Sequence, residues 1–277
     1  MSTYVVTGSS SGIGEACAVR LARAGHRVIA GVRRQADGER LAAAAGSIVP
    51  ALLDVTDEAQ IRDLVGRLDE LAPSGLDGLV NNAGIARGGP LEFLPLDEWR
   101  IQLDVNVIGQ VAVTRSLVPL LRRARGRVVF VGSISGRVST PFLGPYAASK
   151  HAIEAIAESL REELRPWGMA VSVVAPGAVR TPIWDKGRAY ADELEARLPA
   201  EAQDLYSDAV DDLRRGIDTQ ERTGVPPDRV AAAVERALTS PRPRYRYVVG
   251  NDARAAGILD RLLPERAMAY VTRRLGP

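Results

Sequence analysis

Thr7-Gly8-Ser9-Ser10-Ser11-Gly12-Ile13-Gly14 follows directly on the apolar run Tyr4-Val5-Val6, and a segment of helical period opens near Glu15. Glycines let a chain turn tightly and approach a ligand closely. A helix N-terminus adds free N–H groups and the positive end of its dipole, the setting in which a pyrophosphate is held. The spacing is not the Gly-x-Gly-x-x-Gly fingerprint, and no Lys-Ser/Thr follows Gly14, which excludes a P-loop. At this position the turn predicts a dinucleotide site in the first strand–helix unit of a doubly wound sheet; a plain strand–helix turn is the alternative.

The same alternation continues along the chain. Strand-like runs at 4–7, 28–32, 49–53, 78–80, 127–132, 170–175 and 245–249 alternate with helical-period segments at about 14–24, 38–45, 57–71, 97–123, 146–165 and 226–239. The runs are almost continuously apolar, as strands covered on both faces must be. The pattern predicts one α/β domain over 1–277, a doubly wound Rossmann sheet of about seven parallel strands with helices on both faces. From Pro182 to Gly224 the alternation stops for a polar, partly helical insertion, expected to be a substrate lid. Residues 241–277 hold eight arginines against three acids. They read as a solvated helical face, with a patch for an anionic partner as the alternative.

Composition narrows the class. The chain has 277 residues, 46% hydrophobic and 25% charged, which excludes disordered, collagenous and coiled-coil proteins. Its 36 basic and 34 acidic residues leave a net charge of +2, too small to advertise a nucleic-acid surface. One cysteine, Cys17, excludes an internal disulfide, and with two histidines no Cys/His zinc cluster assembles. No stretch approaches the ~18 apolar residues of a membrane span. A strand-like run begins at once after Met1, so no signal peptide is expected and the predicted location is cytoplasmic.

Further motifs stand downstream: Asn81-Asn82-Ala83-Gly84, Asn106, Ser133, Tyr146-x3-Lys150 and Pro176-Gly177-Ala178-Val179-Arg180-Thr181. Tyr146 and Lys150 are i and i+4, so they share one face of a helix. Ser133 ends a predicted strand on the carboxyl side, where such sheets bind ligands. A tyrosine of ordinary pKa ~10 is a poor proton shuttle at neutral pH, and a nearby ammonium favours its phenolate.

Together with the glycine turn, these motifs resemble, in order and spacing, the short-chain dehydrogenase/reductase family, most strongly over 3–182. The resemblance implies an oxidoreductase that acts on CH–OH groups with NAD(P) as the hydride carrier. It implies that Tyr146 is the general acid/base, that Ser133 holds the substrate oxygen, and that Asn106 anchors a relay water. Lys150 would bind the nicotinamide ribose and tune Tyr146. It further implies a cofactor site built from Gly8, Ser10, Ser11, Gly12, Ile13 and Gly14, with Asp54 and Val55 at the adenine. Asn82, Ala83 and Gly84 would run under the ribose, and Pro176, Gly177, Val179 and Thr181 would close over the nicotinamide. Homodimers or homotetramers are the family's usual assemblies.

The place of the ribose-binding acid at the end of the second strand falls by counting on Val32, followed by Arg33 and Arg34. A missing carboxylate and a guanidinium at Arg33 favour NADP(H) and leave NAD(H) open. Apolar segments with Phe93, Phe142 and Trp184 should wall the substrate, a bulky lipophilic secondary alcohol or ketone. The stretches Gly136-Arg137-Val138-Ser139 through Pro145-Tyr146 and Arg165-Pro166-Trp167-Gly168 are similar to the retinol and 17β-hydroxysteroid dehydrogenase branch, which implies a steroid- or retinoid-like substrate. A catalytically silent nucleotide sensor or scaffold on the same fold is the rival reading, and a dehalogenase-like relative is a second. Both rivals ordinarily lose parts of the motif set that this chain keeps.

Overall fold

Alternate residues of a strand face opposite ways, and in this chain both directions are apolar. A computed structural model describes residues 1–264 and 266–268, apart from the side chains of residues 212 and 213. Its strands are β1 (Thr3–Val6), β2 (Arg27–Val32), β3 (Ile48–Leu52), β4 (Gly78–Asn81), β5 (Arg127–Val131), β6 (Ala170–Pro176) and β7 (Arg246–Val249). They form one seven-stranded sheet in the order β3-β2-β1-β4-β5-β6-β7, parallel throughout.

The helices are α1 (Gly12–Arg23), α2 (Gln35–Ala44), α3 (Glu58–Leu71), α4 (Leu96–Leu103), α5 (Gly109–Ala124), α6 (Gly144–Leu164), α7 (Ile183–Glu195), α8 (Ala200–Thr223), α9 (Pro227–Thr239) and α10 (Asn251–Leu262). Tyr4, Val6, Val28 and Ala30 point to one side, into a core completed by Leu21 of α1 and Val230 and Val234 of α9. Val5, Ile29, Leu79 and Phe130 point to the other, where Leu64 of α3, Leu117 of α5 and Ile153 of α6 cover them. The doubly wound architecture is therefore the one predicted.

Three local departures matter. The helix expected over 97–123 is interrupted: Asp104–Ile108 winds as a π-turn between α4 and α5 and carries Asn106. A π-turn admits one extra residue and re-aims the side chains beyond it, which the 3.6-residue hydrophobic period does not reveal. The insertion over 182–224 is helical almost throughout, as α7 and α8. The basic stretch 241–277 contains β7 and α10, and its residues after Met268 lie outside the described ones. Within it Arg246 is paired with Glu154 of α6, so that arginine serves the fold rather than an anionic partner.

The sheet reverses its winding between β1 and β4, so the connections leaving these neighbours diverge and open a crevice at their carboxyl ends. Thr7 bridges the crevice floor. Its Oγ1 accepts the N–H groups of Asn82 and Ala83, each at 3.0 Å. Asn82 answers by donating Nδ2 to the carbonyls of Thr7 and Gly8 at 3.0 and 3.1 Å.

Candidate active site

The glycine turn lies over this floor. Gly8 and Gly12 adopt φ of 65° and 61°, a left-handed conformation that costs a side-chain-bearing residue energy. Gly14 has another reason to be glycine: a Cβ there would collide with the Gly8 carbonyl and crowd the Asn82 amide. Ser11 heads α1 without capping it through its hydroxyl, so the first N–H groups of the helix are not taken by that side chain. Arg40 of α2 pins the turn from outside, donating to the Ser10 carbonyl at 2.8 Å and pairing with Glu15 at 2.6 Å. These features fit a bound pyrophosphate: a glycine-rich backbone turn at the positive end of a helix.

Gly8, Ser10, Ser11, Gly12 and Ile13 line one cleft together with Arg33, Asp54, Val55, Asn82, Ala83 and Gly84. Ser133, Tyr146, Lys150, Pro176, Gly177, Val179, Thr181, Phe142 and Trp184 line the same cleft further along. Its volume is about 1600 Å³, above the ~300–1,000 Å³ of a site for one drug-sized ligand. There is room for a dinucleotide and a second molecule.

At the inner end, Ser133 follows β5 and heads a short 3₁₀ turn, its Oγ accepting the Ser135 N–H at 3.1 Å. It lies against the Tyr146 phenol and lowers that group's proton affinity. Tyr146 stands in the first turn of α6, which Gly144-Pro145 begins. Lys150, one turn on, is buried and donates Nζ to the Val131 carbonyl at 2.9 Å, with Nζ 5.7 Å from the Tyr146 ring centroid. Burial pushes the Tyr146 phenol above its usual range, and Ser133 pulls it back in part. Burial also holds Lys150 down at about 8. The expected lowering of Tyr146 by Lys150 is therefore not found: burial is the largest influence and raises the phenol, which stays protonated at neutral pH.

Asn106 is fully buried beneath the cleft rather than on its wall. Its Oδ1 accepts the Ile85 N–H at 2.8 Å, and its Nδ2 donates to the Ile85 carbonyl at 3.0 Å and the Ser149 hydroxyl at 3.1 Å. The side chain thus fixes the segment after Gly84 to α6. Asp54 lies at the cleft with Oδ1 engaged by the N–H and hydroxyl of Thr56, at 3.0 and 2.7 Å. The N-cap of α3 is Asp57, not Asp54.

Two placements correct the sequence expectation. Val32 is core, 1% exposed and packed beside Gly38 of α2, so it does not face the cleft; Arg33, exposed, does. An acid at 32 would be a buried carboxylate rather than a ribose ligand. Phe93 stands one ring behind the wall, edge-on to Tyr206 with centroids 6.1 Å apart.

Tyr206 itself, from α8, lines the cleft and packs edge-on against Phe142 at 5.9 Å. Its hydroxyl donates to Glu92. Phe142 keeps a left-handed φ of 64°, uncommon for a bulky residue. Tyr190 of α7 is also on the wall, with the Arg87 guanidinium 4.3 Å over its ring. Trp184 fastens the start of α7, donating Nε1 to the Val179 carbonyl at 2.7 Å. Tyr190 and Tyr206 escaped sequence reading. Their only signal is an aromatic residue inside an otherwise polar insertion.

Residues 2–191 match the family model described as short chain dehydrogenase. The chain is 33% identical to the NADPH-dependent 3-dehydrocapnine reductase of Ornithobacterium rhinotracheale, covering 95% of this chain and 93% of the relative. It is 36% identical to retinol dehydrogenase 5 of Mus musculus, covering 96% and 86%. A solved short-chain dehydrogenase from Streptomyces avermitilis superposes with a TM-score of 0.76 at 29% identity, covering 99% of this chain and 96% of that one.

The burial of Lys150 has a measurable consequence. The fold disfavours the ammonium, so between about pH 8 and the ordinary lysine value of 10.5 the folded chain binds fewer protons at this site than the unfolded chain. The penalty is fully present below pH 8 and is relieved as pH rises through that window. With nucleotide-free protein, the unfolding free energy of the parent relative to Lys150→Met should climb from pH 8 to 10.5. A difference that stays flat across denaturant titrations in this range contradicts the assignment.

Proposed function

The chain belongs to the short chain dehydrogenase family, and we propose that it interconverts a bulky, lipophilic secondary alcohol and its ketone with NADP(H). The observation that carries the reading is the grouping of Ser133, Tyr146 and Lys150 at the inner end of a cleft whose outer end is a pyrophosphate cradle. Bound nicotinamide supplies or accepts the hydride. The chain's own contribution is the proton and the placement of the substrate oxygen.

Ser133 Oγ hydrogen-bonds that oxygen beside the Tyr146 hydroxyl. Tyr146, kept protonated by desolvation, gives its proton as the carbonyl is reduced and takes one back as the alcohol is oxidised. Lys150 carries charge below about pH 8, which stabilises the transient phenolate and leaves it a donor to ribose hydroxyls. Asn106 holds the floor segment that begins at Ile85 and so keeps the cleft in register, and it would anchor a relay water there.

For the cofactor, the backbone of Gly8, Ser10, Ser11, Gly12, Ile13 and Gly14 would take the pyrophosphate, with Asp54 and Val55 beside the adenine. Asn82, Ala83 and Gly84 would lie under the ribose, and Pro176, Gly177, Val179 and Thr181 over the nicotinamide. Arg33 is the group for a 2′-phosphate. It faces the cleft, whereas the nearby carboxylates are engaged elsewhere, Asp37 by Arg34 and Asp54 by Thr56. The similarity to the NADPH-dependent 3-dehydrocapnine reductase supports this choice.

For the substrate, Phe142, Trp184, Tyr190, Leu194 and Tyr206 make the walls mostly apolar. The retinol dehydrogenase relative supports a steroid- or retinoid-like ligand. Residues 182–224 act as a lid, fastened by Tyr206 to Glu92 and to the ring of Phe142.

Tyr146→Phe removes only the hydroxyl. In a screen of steroid, retinoid and aliphatic alcohols with both nucleotides, its turnover should fall at least ~100-fold while nucleotide affinity is retained. Turnover near the parent's would remove Tyr146 from the chemistry, and nucleotide binding without turnover by the parent would favour a sensor. Arg33→Ala should weaken NADPH roughly 10- to 100-fold, as expected for losing a charge-assisted contact, and leave NADH unchanged. Equal weakening of both, read by nicotinamide fluorescence, would make Arg33 an ordinary surface charge. Limited proteolysis should cut within 182–224, and nucleotide plus a substrate analogue should suppress the cuts. Cleavage there that ignores both ligands means the insertion is passive.

A further inference from the structure

Asp252, in the first turn of α10, reaches back across the sheet edge to the loop after β6. Its Oδ2 accepts the Ala178 N–H at 2.7 Å. The corner is shaped around this carboxylate. A Cβ on Gly177 would collide with it, and so would a Cβ on Gly250, which holds φ at 108°. Gly177 is therefore glycine because a carboxylate lies against its α-carbon. Its own φ is not among the positive ones, so turn geometry does not require it.

The loop is tied on its other sides as well. Gly177 donates to the Val249 carbonyl at 3.0 Å. The Ala178 carbonyl accepts from Val225, and Arg180 donates to the Val225 carbonyl, both at 3.0 Å. Val225 follows directly on the end of the insertion, pairing with Val179 as a short parallel bridge. Asp252 thus completes a three-sided clamp on Pro176–Thr181, with β7 beneath and the lid's exit alongside. The carboxylate also sits at the positive end of α10, which steadies its charge.

We propose that Asp252 is a positioning residue, whose carboxylate sets the loop 176–181 against the nicotinamide end of the cleft. What the loop faces rests on the function proposed above; the clamp itself rests on the hydrogen bond alone. Asp252→Asn keeps an oxygen able to accept the Ala178 N–H, whereas Asp252→Ala removes it. Three measurements read the difference: hydrogen exchange of the Ala178 amide, the NADPH dissociation constant by fluorescence, and the melting temperature.

Asp252→Ala should speed Ala178 exchange and weaken NADPH about 10- to 100-fold, the scale of one lost hydrogen bond to a charged group. Asp252→Asn should restore most of both. Ala178 exchange unchanged in Asp252→Ala, or NADPH bound as tightly as by the parent, overturns the proposal. So does an Asn variant as impaired as the Ala variant, because the effect would then belong to charge at the helix end. A lower melting temperature with unchanged affinity makes the contact structural only. Should the parent bind neither NADPH nor NADH, the functional reading fails, while Ala178 exchange still decides the clamp.

Discussion

Two adjacent parallel strands whose connections leave in opposite directions cannot close the space beyond their carboxyl ends, and the cleft of this protein is that space. At β1 and β4 the gap is spanned by one hydroxyl and one amide, Thr7 and Asn82, each satisfying backbone groups of the other strand's exit. Backbone polar groups at such a junction have no ladder partner and would be costly to bury unpaired. Making those bonds from side chains holds the glycine turn over the cleft floor. The glycine turn at the head of α1 is seated by this arrangement.

From the same floor, order extends sideways to the chemistry. Asn106, placed by the π-turn, holds both backbone groups of Ile85 and touches Ser149, whose hydroxyl in turn donates to the Tyr146 carbonyl at 2.7 Å. Gln102, fully buried, reaches the Ile85 carbonyl and the Ser149 hydroxyl. These amides form a connected polar network in a dry interior, where each bond is stronger and each loss dearer than in water. Tyr146 and Lys150 thereby stand on a helix whose first turn is fixed to the segment after Gly84. Their titration follows from burial: the phenol is raised and the ammonium is lowered to about 8, so the two groups move apart in proton affinity.

The outer wall is held by different physics. Helices α7 and α8 are polar and carry many exposed ion pairs, such as Arg188 with Asp185 and Glu221 and Arg214 with Asp192 and Glu195. Exposed pairs contribute little each. The insertion meets the body of the protein through a small apolar cluster, Leu94 with Tyr190 and Leu194, and through Tyr206. A segment attached by so few buried contacts opens more readily than the sheet it covers.

Periodicity and spacing determined the α/β class, the parallel sheet and the order of its elements, and the motifs resembled the family to which the chain belongs. Each of these depends on near neighbours in sequence: apolar runs with two-sided burial, a Gly-rich turn before a helix, Tyr146 and Lys150 one turn apart. Tertiary structure decided the rest. Val32 turned into the core and Arg33 out of it, Phe93 fell behind Tyr206, and the π-turn re-aimed Asn106 within a stretch that reads as unbroken helix. Asp252 found Ala178 across 74 residues of chain, and Tyr206 found Glu92 across 114. Such pairings leave no periodic trace, because they are set by where the sheet edge and the insertion over 182–224 come to rest. The pKa values belong to this second class too, since desolvation is a property of the packed site and not of the residues that enter it.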